Sequence, residues 1–204
     1  MSGGLAPLAT LAQARAMTPA ADLKKLMQRP PVLSVACAES VTGGHIQAAL
    51  TSISGASDYF VGGITAYTLD EKVRTLGVNR AHARRADCVS QQVAVEMAVG
   101  ACRLFDADLA LATTGYAEPS RAKGIKVPMA WWAIHHRLGG GSAVVISGCV
   151  EITDEPRVAV QQRIADTVLR ELVAYVRELH GKRRQRAQQR KRAAKKRAAK
   201  EKSG

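Results

Sequence analysis

The chain has 204 residues, 47% of them hydrophobic, which is enough to bury the core of one well-packed domain but not of two. Its formal net charge of +13 would fit a nucleic-acid-binding protein, but the charge is unevenly distributed. Residues 181–204 hold twelve Lys or Arg and one acid, a net charge of +11, which leaves only +2 for the rest. We therefore expect a flexible N-terminal segment (1–18), one nearly neutral domain (19–180) and a basic tail (181–204).

The four cysteines have no metal-binding or redox spacing, and three of them lie in apolar patterns. We therefore expect free thiols in a reducing compartment, with neither disulfides nor a metal site. No apolar run approaches a membrane span and no signal peptide opens the chain, so a cytoplasmic protein without a membrane partner is expected. Residues 1–18 are acid-poor, and disorder, a loosely docked helix and an organellar presequence all remain open for them.

In chain order, the first predicted elements are a short helix and a buried strand. Thr18 is the N-cap candidate for the helix, and residues 32–37 are apolar and β-branched, as in a buried strand. The elements that follow are a helix at 45–53, a strand at 60–67, a helix at 72–76 closed by Gly77, and a basic connector at 80–85.

The second half of the chain begins with a long helix over residues 91–105, for which Ser90 is the predicted N-cap. Its apolar stripe is typical of core packing and consists of Val93, Met97, Ala101 and Leu104. The remaining predicted elements are a strand at 108–113, an antiparallel hairpin of 127–137 and 142–152, and a helix at 155–179 with Asp154 as N-cap.

Strands that alternate with helices predict an α/β fold: a three-layer α/β/α sandwich with a mixed, mostly parallel sheet, followed by the basic C-terminal tail. In such open sheets, ligands bind beyond the carboxyl ends of the strands. Ser40, Tyr67, Thr114 and Gly115 fall at predicted strand ends, so we expect a site there.

The turn after the first strand carries the most specific local signal. It reads Ala38-Glu39-Ser40-Val41-Thr42-Gly43-Gly44 and places an acid, two hydroxyl residues and two glycines where a helix start leaves backbone N–H groups free. Such a corner can bind an anion or stabilise a negatively charged nucleophile. The alternative is that Thr42 is only an N-cap and that the glycines permit a tight turn.

The second strand end adds a tyrosine and a lysine. Tyr67 ends the strand at 60–67, and Lys72 lies in the helix that follows. A serine needs a base to become a nucleophile, and a lysine can be that base when burial or nearby positive charge lowers its pKa. A tyrosine can relay a proton or orient the serine. The alternative makes Tyr67 a core-edge aromatic residue and Lys72 a solvated one.

Four further stretches follow this turn in order. They read Gly55-Ala56-Ser57-Asp58-Tyr59-Phe60-Val61-Gly62-Gly63, Tyr67-Thr68-Leu69-Asp70-Glu71-Lys72, Asp87-Cys88-Val89-Ser90-Gln91 and Thr114-Gly115-Tyr116-Ala117-Glu118-Pro119. Over about residues 20–180, these motifs resemble the CinA C-terminal domain family, whose enzymes are nicotinamide mononucleotide (NMN) deamidases. The resemblance implies the three-layer fold, and dimers are usual in that family.

The resemblance also implies a reaction, in which NMN and water give nicotinate mononucleotide and ammonia. Ser40 would attack the carboxamide and Lys72, assisted by Tyr67, would accept its proton, and acyl transfer of this kind needs no metal or organic cofactor. Backbone N–H groups of the turn would stabilise the oxyanion or the phosphate. The implied substrate-binding residues are Glu39, Thr42, Gly43, Gly44, Thr114, Gly115 and Arg157, whose guanidinium suits a phosphate unless it is only a surface residue.

One loop departs from the family pattern. Its glycine-rich sequence reads Gly115-Tyr116-Ala117-Glu118-Pro119-Ser120 here, with an acid in place of the second glycine. Glu118 would disfavour a phosphate or carboxylate close to it.

The tail at 182–202 consists of good helix formers and can extend the final helix, but its charges lie on every side. It is interpreted either as an electrostatic arm for nucleic acid or another polyanion, or as a solubilising segment without a partner. The second hypothesis for the whole chain is therefore a non-catalytic CinA-like domain that binds a nucleotide or a protein and whose tail contacts nucleic acid.

Overall fold

The computed structural model describes residues 18–201, so the predictions for residues 1–17 and for the last three residues lie outside the described part. Its sheet has the strand order β2-β1-β3-β4-β5. The strands are β1 (Val35–Glu39), β2 (Phe60–Thr65), β3 (Leu109–Tyr116), β4 (Met129–Arg137) and β5 (Ala143–Glu151). β1 pairs in parallel with β2 and β3, and β3–β4 and β4–β5 are antiparallel. All strands but β4 therefore share one direction, which confirms the mixed, mostly parallel sheet.

Helices cover both faces of this sheet. They are α1 (Pro19–Met27), α2 (His45–Thr51), α3 (Leu69–Leu76), α4 (Arg80–Arg85), α5 (Gln91–Phe105) and α6 (Arg157–Glu201). One core cluster joins α1, α2 and α6 to one face, and a second joins α3, α4 and α5 to the other. The predicted three-layer α/β/α sandwich is confirmed. No helix among residues 18–201 combines the length and the apolar character needed to cross a membrane.

The central strands present large side chains to one layer and alanines to the other. Val35 and Cys37 of β1 face the layer of α1, α2 and α6, whereas Ala36 and Ala38 face the layer of α5. β3 repeats the pattern, with leucines at 109 and 111 and alanines at 110 and 112. Because side chains alternate along a strand, this sequence pattern lets α5 pack closely against the sheet.

Several predicted boundaries and roles are corrected. The basic connector at 80–85 is the helix α4, because the Asn79 side chain accepts a hydrogen bond from the His82 N–H and so caps it. Asp154 does not cap the last helix, since its φ of 58° is left-handed and α6 begins at Arg157. α6 also continues to Glu201 instead of ending near residue 179. Leu104 of the predicted core stripe is 45% exposed.

The helix α2 begins above a buried carboxylate. Glu39 is fully buried, and its two carboxylate oxygens accept hydrogen bonds from the backbone N–H groups of Gly44 (2.9 Å), Ile46 (3.1 Å) and Gln47 (2.9 Å). These are N–H groups that a helix start leaves without intrahelical partners. Gly43 and Gly44 have φ values of 58° and 105°, a conformation that favours glycine and brings the chain back over Glu39.

Replacing Glu39 with Gln is expected to destabilise the fold by about 2–3 kcal/mol, because the amide NH₂ would face a buried N–H donor. Chemical denaturation measures this loss. The matched control is Glu96→Gln, since Glu96 accepts a hydrogen bond from the Asn79 N–H at the surface and its replacement should cost under about 1 kcal/mol. A stable Glu39→Gln protein with weakened ligand binding would instead place Glu39 in ligand recognition.

Two helical glycines should respond in opposite ways to alanine. A Cβ on Gly100 of α5 would lie 2.2 Å from the Leu76 backbone oxygen, so Gly100→Ala must push α5 away from α3 and is expected to cost about 2–3 kcal/mol. Gly181 of α6 has nothing within 4 Å, so Gly181→Ala should stabilise its helix by up to about 1 kcal/mol. Thermal unfolding of the two variants tests the contrast, and equal effects would contradict it.

Candidate functional site

A cleft of about 480 Å³ lies beyond the carboxyl ends of β1 and β3, beside the segment that follows β2. That volume is typical of small-molecule sites. Six of the predicted site residues line it: Ser40, Tyr67, Lys72, Thr114, Gly115 and Arg157. They come together because neighbouring parallel strands end at the same edge of a sheet.

The centre of the cleft is a serine–lysine pair. The Lys72 Nζ lies 2.8 Å from the Ser40 Oγ, although 32 positions separate the two residues in the sequence. Ser40 directly follows β1, and Lys72 lies one turn inside α3, whose start is capped by the Thr68 hydroxyl. Both side chains are buried, with Lys72 only 1% exposed. The alternative interpretation of Lys72 as a solvated helix residue is therefore wrong.

The Lys72 amine is held by two backbone carbonyls as well as by the serine. Its Nζ donates to the Ala66 oxygen (2.9 Å) and the Tyr67 oxygen (3.1 Å). Burial lowers the pKa of Lys72 below its ordinary value, and the neighbouring Cys88 thiol acts in the opposite direction. A neutral amine has two N–H groups and one lone pair. With both N–H groups on the carbonyls, a neutral Lys72 amine can direct its lone pair at the Ser40 hydroxyl.

Tyr67 contacts this pair through its backbone, not through its phenol. Its side chain is 54% exposed, and its hydroxyl accepts a hydrogen bond from the Arg157 guanidinium at 2.9 Å. Arg157 also binds a Glu118 carboxylate oxygen at 2.9 Å, so Glu118 lies in the cleft wall as an ion-pair partner. Assistance of Lys72 by the Tyr67 hydroxyl remains a prediction.

Four predicted ligand contacts lie behind the cleft wall and do not line it. Glu39 holds the start of α2, and the Thr42 hydroxyl lies 2.7 Å from that of Thr113. Gly43 and Gly44 shape the turn. The Gly43 N–H donates to the Ser40 backbone carbonyl, and the Gly44 N–H donates to the Glu39 carboxylate. Within residues 18–201, the N–H groups of Val41 and Thr42 have no hydrogen-bond partner, and Val41 lines the cleft.

Thr114 and Gly115 line the cleft, and each has a structural role there. The Thr114 hydroxyl donates to the Cys88 carbonyl at 2.6 Å, which ties β3 to the segment before α5. A Cβ on Gly115 would lie 2.1 Å from the Met129 backbone oxygen, so only glycine permits the β3–β4 approach here.

A second polar cluster in the cleft is missing from the sequence predictions. Asp87 accepts a hydrogen bond from the Tyr116 hydroxyl at 2.7 Å and forms an ion pair with Lys123. The hydrogen bond from Lys123 lowers the pKa of Asp87, while burial and the neighbouring Asp87 raise the pKa of Tyr116 to about 12. The available signal was that Asp87 and Tyr116 belong to two of the motif stretches quoted above. In the structure, Asp87 and Cys88 both have positive φ, so the chain turns sharply there.

Histidine and cysteine are common metal ligands, so the contacts of the two β4 histidines and the four cysteines were compared with those of a metal site. His135 and His136 alternate across β4 and contact the Cys102 sulfur and the Tyr175 hydroxyl on opposite faces. All four cysteines are free, although Cys149 is exposed. Among the residues that the structure describes, no cluster of three or more His, Cys, Asp or Glu side chains is placed to hold a metal ion.

Comparison with known proteins extends the motif resemblance. The model of the CinA C-terminal domain family matches residues 19–176. A CinA-like protein of Chlorobium limicola is 39% identical over 150 residues, which are 73% of this chain and 35% of that protein. A CinA-like protein of Picosynechococcus is 46% identical over 103 residues, or 49% of this chain and 25% of that protein. The chain thus spans about a third or less of the length of these relatives.

Solved structures share the architecture. The competence/damage inducible protein CihA of Agrobacterium tumefaciens superposes with a TM-score of 0.63 at 32% identity, covering 75% of this chain and 94% of that one. A CinA superfamily protein of Klebsiella pneumoniae has a TM-score of 0.71 at 22% identity, covering 78% and 96%, which is a likeness of fold. With the family model matched over most of its length, this chain belongs to the CinA C-terminal domain family.

Proposed function

We propose that the chain is an amidohydrolase in which Ser40 is the nucleophile and Lys72 is its base. The observation that carries this proposal is the 2.8 Å contact between the Lys72 Nζ and the Ser40 Oγ in a cleft. A lysine can act as a base near neutral pH only when its ammonium form is disfavoured, and burial disfavours that form here.

The reaction that this geometry supports is acyl transfer in two steps. The Ser40 Oγ attacks the carboxamide carbon while the Lys72 Nζ takes the hydroxyl proton, and the carbonyl oxygen becomes an oxyanion. The free N–H of Val41, the residue after the nucleophile, is suitably placed along the chain to stabilise that oxyanion. When the C–N bond breaks, ammonia leaves with the proton from Lys72. Water then attacks the acyl-serine with Lys72 as base, and the carboxylic acid and free Ser40 result.

The substrate class follows from the family resemblance. The proposed substrate is the carboxamide of a pyridine nucleoside or nucleotide, with NMN and water giving nicotinate mononucleotide and ammonia. Serine acyl transfer of this kind needs no metal or organic cofactor.

Removal of either member of the pair should abolish turnover. Ammonia release from NMN and from its dephosphorylated nucleoside is expected to fall by about 10³-fold or more in Ser40→Ala and Lys72→Ala, with the fold retained. The control is Ser52→Ala, because the Ser52 hydroxyl donates to the Ala49 carbonyl at the surface of the domain, outside the cleft lining. Absence of ammonia release from wild type with a panel of pyridine amides would favour the alternative, a non-catalytic binding domain.

The pH dependence of kcat/KM distinguishes a Lys72 that acts as a base from one that supplies only a positive charge. Because Lys72 must be neutral to accept the proton, kcat/KM should rise with pH through the lowered pKa of Lys72, with a midpoint below the ordinary 10.5. Lys72→Arg keeps the charge but cannot act as a base, so it should be as inactive as Lys72→Ala. An active arginine variant would contradict the proposed role.

A second function is favoured by the end of α6. Residues 181–192 are all exposed, so this part of the helix projects from the domain. It carries seven basic side chains and no acid: Lys182, Arg183, Arg184, Arg186, Arg190, Lys191 and Arg192. We propose that this basic segment binds nucleic acid or another polyanion through phosphate contacts, without base readout, since no aromatic residue is interleaved.

Truncation after Gly181 should abolish DNA or RNA binding and leave any amidase activity intact. Filter binding at several salt concentrations measures the affinity and its salt slope. A milder variant replaces Lys182, Arg183, Arg184 and Arg186 with Gln, which preserves the helix and should lower the slope by roughly 0.7–0.9 for each phosphate that the segment no longer neutralises. Salt-sensitive binding that survives truncation would move the polyanion site onto the domain.

A further inference from the structure

Apart from Lys72, the charged residues that line the cleft form two ion pairs. On one side, Arg157 binds Glu118 at 2.9 Å and the Tyr67 hydroxyl at 2.9 Å. On the other side, Lys123 is paired with Asp87, which also accepts the Tyr116 hydroxyl. Apart from the buried Lys72, these are the only cationic side chains that line the cleft among the described residues. Each is therefore already neutralised by a carboxylate of the chain itself.

The position of Arg157 relative to Ser40 determines how the Arg157–Glu118 pair affects a substrate. Tyr67 connects the two places, since its carbonyl contacts Lys72 and its hydroxyl contacts Arg157. A substrate whose carboxamide lies at Ser40 would therefore present its remote end to Arg157. An anionic group at that end would approach the Glu118 carboxylate as well, and the repulsion offsets the attraction of the guanidinium.

Resting on the proposed function, we infer that Glu118 is a specificity-determining residue that directs the cleft to carboxamides without a phosphate. The favoured substrate class is an N-substituted pyridinium carboxamide without an anionic group, such as the nicotinamide nucleoside, in preference to its 5′-phosphate. Glu118 acts by occupying Arg157 and by placing a negative charge where a phosphate would lie. It takes no part in the chemistry at Ser40.

Both cations of the cleft are weakened as phosphate ligands for the same reason. Phosphate recognition needs a donor fork or a cation within hydrogen-bond distance of the anion. Arg157 and Lys123 are each paired with a carboxylate of the chain, and this pairing lowers their attraction for a phosphate. Removal of the Glu118 charge frees Arg157 without changing the shape of the cleft, since Gln has nearly the same volume as Glu.

The test compares wild type with Glu118→Gln. Wild type should hydrolyse the nicotinamide nucleoside with a higher kcat/KM than NMN, and Glu118→Gln should shift that ratio towards NMN by about tenfold, the effect of one partly exposed charge pair. Glu155→Gln is the matched control, because Glu155 forms its ion pair with Arg163 outside the cleft lining and should leave the ratio unchanged.

A binding measurement keeps the inference testable if neither amide is hydrolysed. With inorganic phosphate as the probe, calorimetry should detect binding to Glu118→Gln at least tenfold tighter than to wild type, and the double variant Glu118→Gln, Arg157→Gln should lose that gain. Failure of turnover in all variants overturns the proposed function alone. A wild type that prefers NMN, or a Glu118→Gln protein with an unchanged ratio and no gain in phosphate binding, overturns the inference.

Discussion

Burial of the Lys72 amine is the interaction on which the site depends. An ammonium group is costly to remove from water, so a buried lysine either finds several acceptors or becomes neutral. Here the acceptors are the carbonyls of residues 66 and 67, just beyond β2, together with the hydroxyl that follows β1. β1 and β2 are parallel neighbours, so their carboxyl ends lie side by side, and α3 begins directly after β2. The topology therefore assembles the pair from two strand ends and one helix turn.

Side chains alternate between the two faces along β1, and this alternation gives the neighbouring residues Glu39 and Ser40 different surroundings. Cys37 and Glu39 point to the same layer, where the Cys37 thiol lies 3.9 Å from a Glu39 oxygen. Ser40 comes one residue later and contacts Lys72, which follows β2 in the opposite layer. Glu39 can thus stabilise the start of α2, by charge as well as by hydrogen bonds, while Ser40 reaches the cleft. One acid and one hydroxyl at consecutive positions thus serve the start of a helix and the wall of the cleft respectively.

The sequence predicted those features that depend on local pattern. The sheet, the helix α5 with its Ser90 cap and the helix α6 as far as residue 179 follow from periodicity and capping, and residues 40 and 72 were singled out through their motifs. What local pattern could not provide was pairing across the fold. Arg157 and Glu118 are 39 positions apart, and Lys123 and Asp87 are 36 apart. Charge alone also misled, since the three arginines among residues 80–85 concealed the capped helix α4.

The helix α6 carries both Arg157, which lines the cleft, and the basic segment. Its length places the charges of the basic segment far from the cleft. Arg157 is its first residue, and Lys182 lies 25 positions later, which at 1.5 Å per residue is roughly 37 Å along a straight helix. Exposed charges are largely screened beyond about 8 Å at physiological ionic strength. The positive charge of the basic segment therefore cannot compensate for the neutralised Arg157 in attracting a phosphate into the cleft. The charge balance of the cleft is set locally by Glu118 and Asp87, and the overall charge of the chain says nothing about the ligand that the cleft selects.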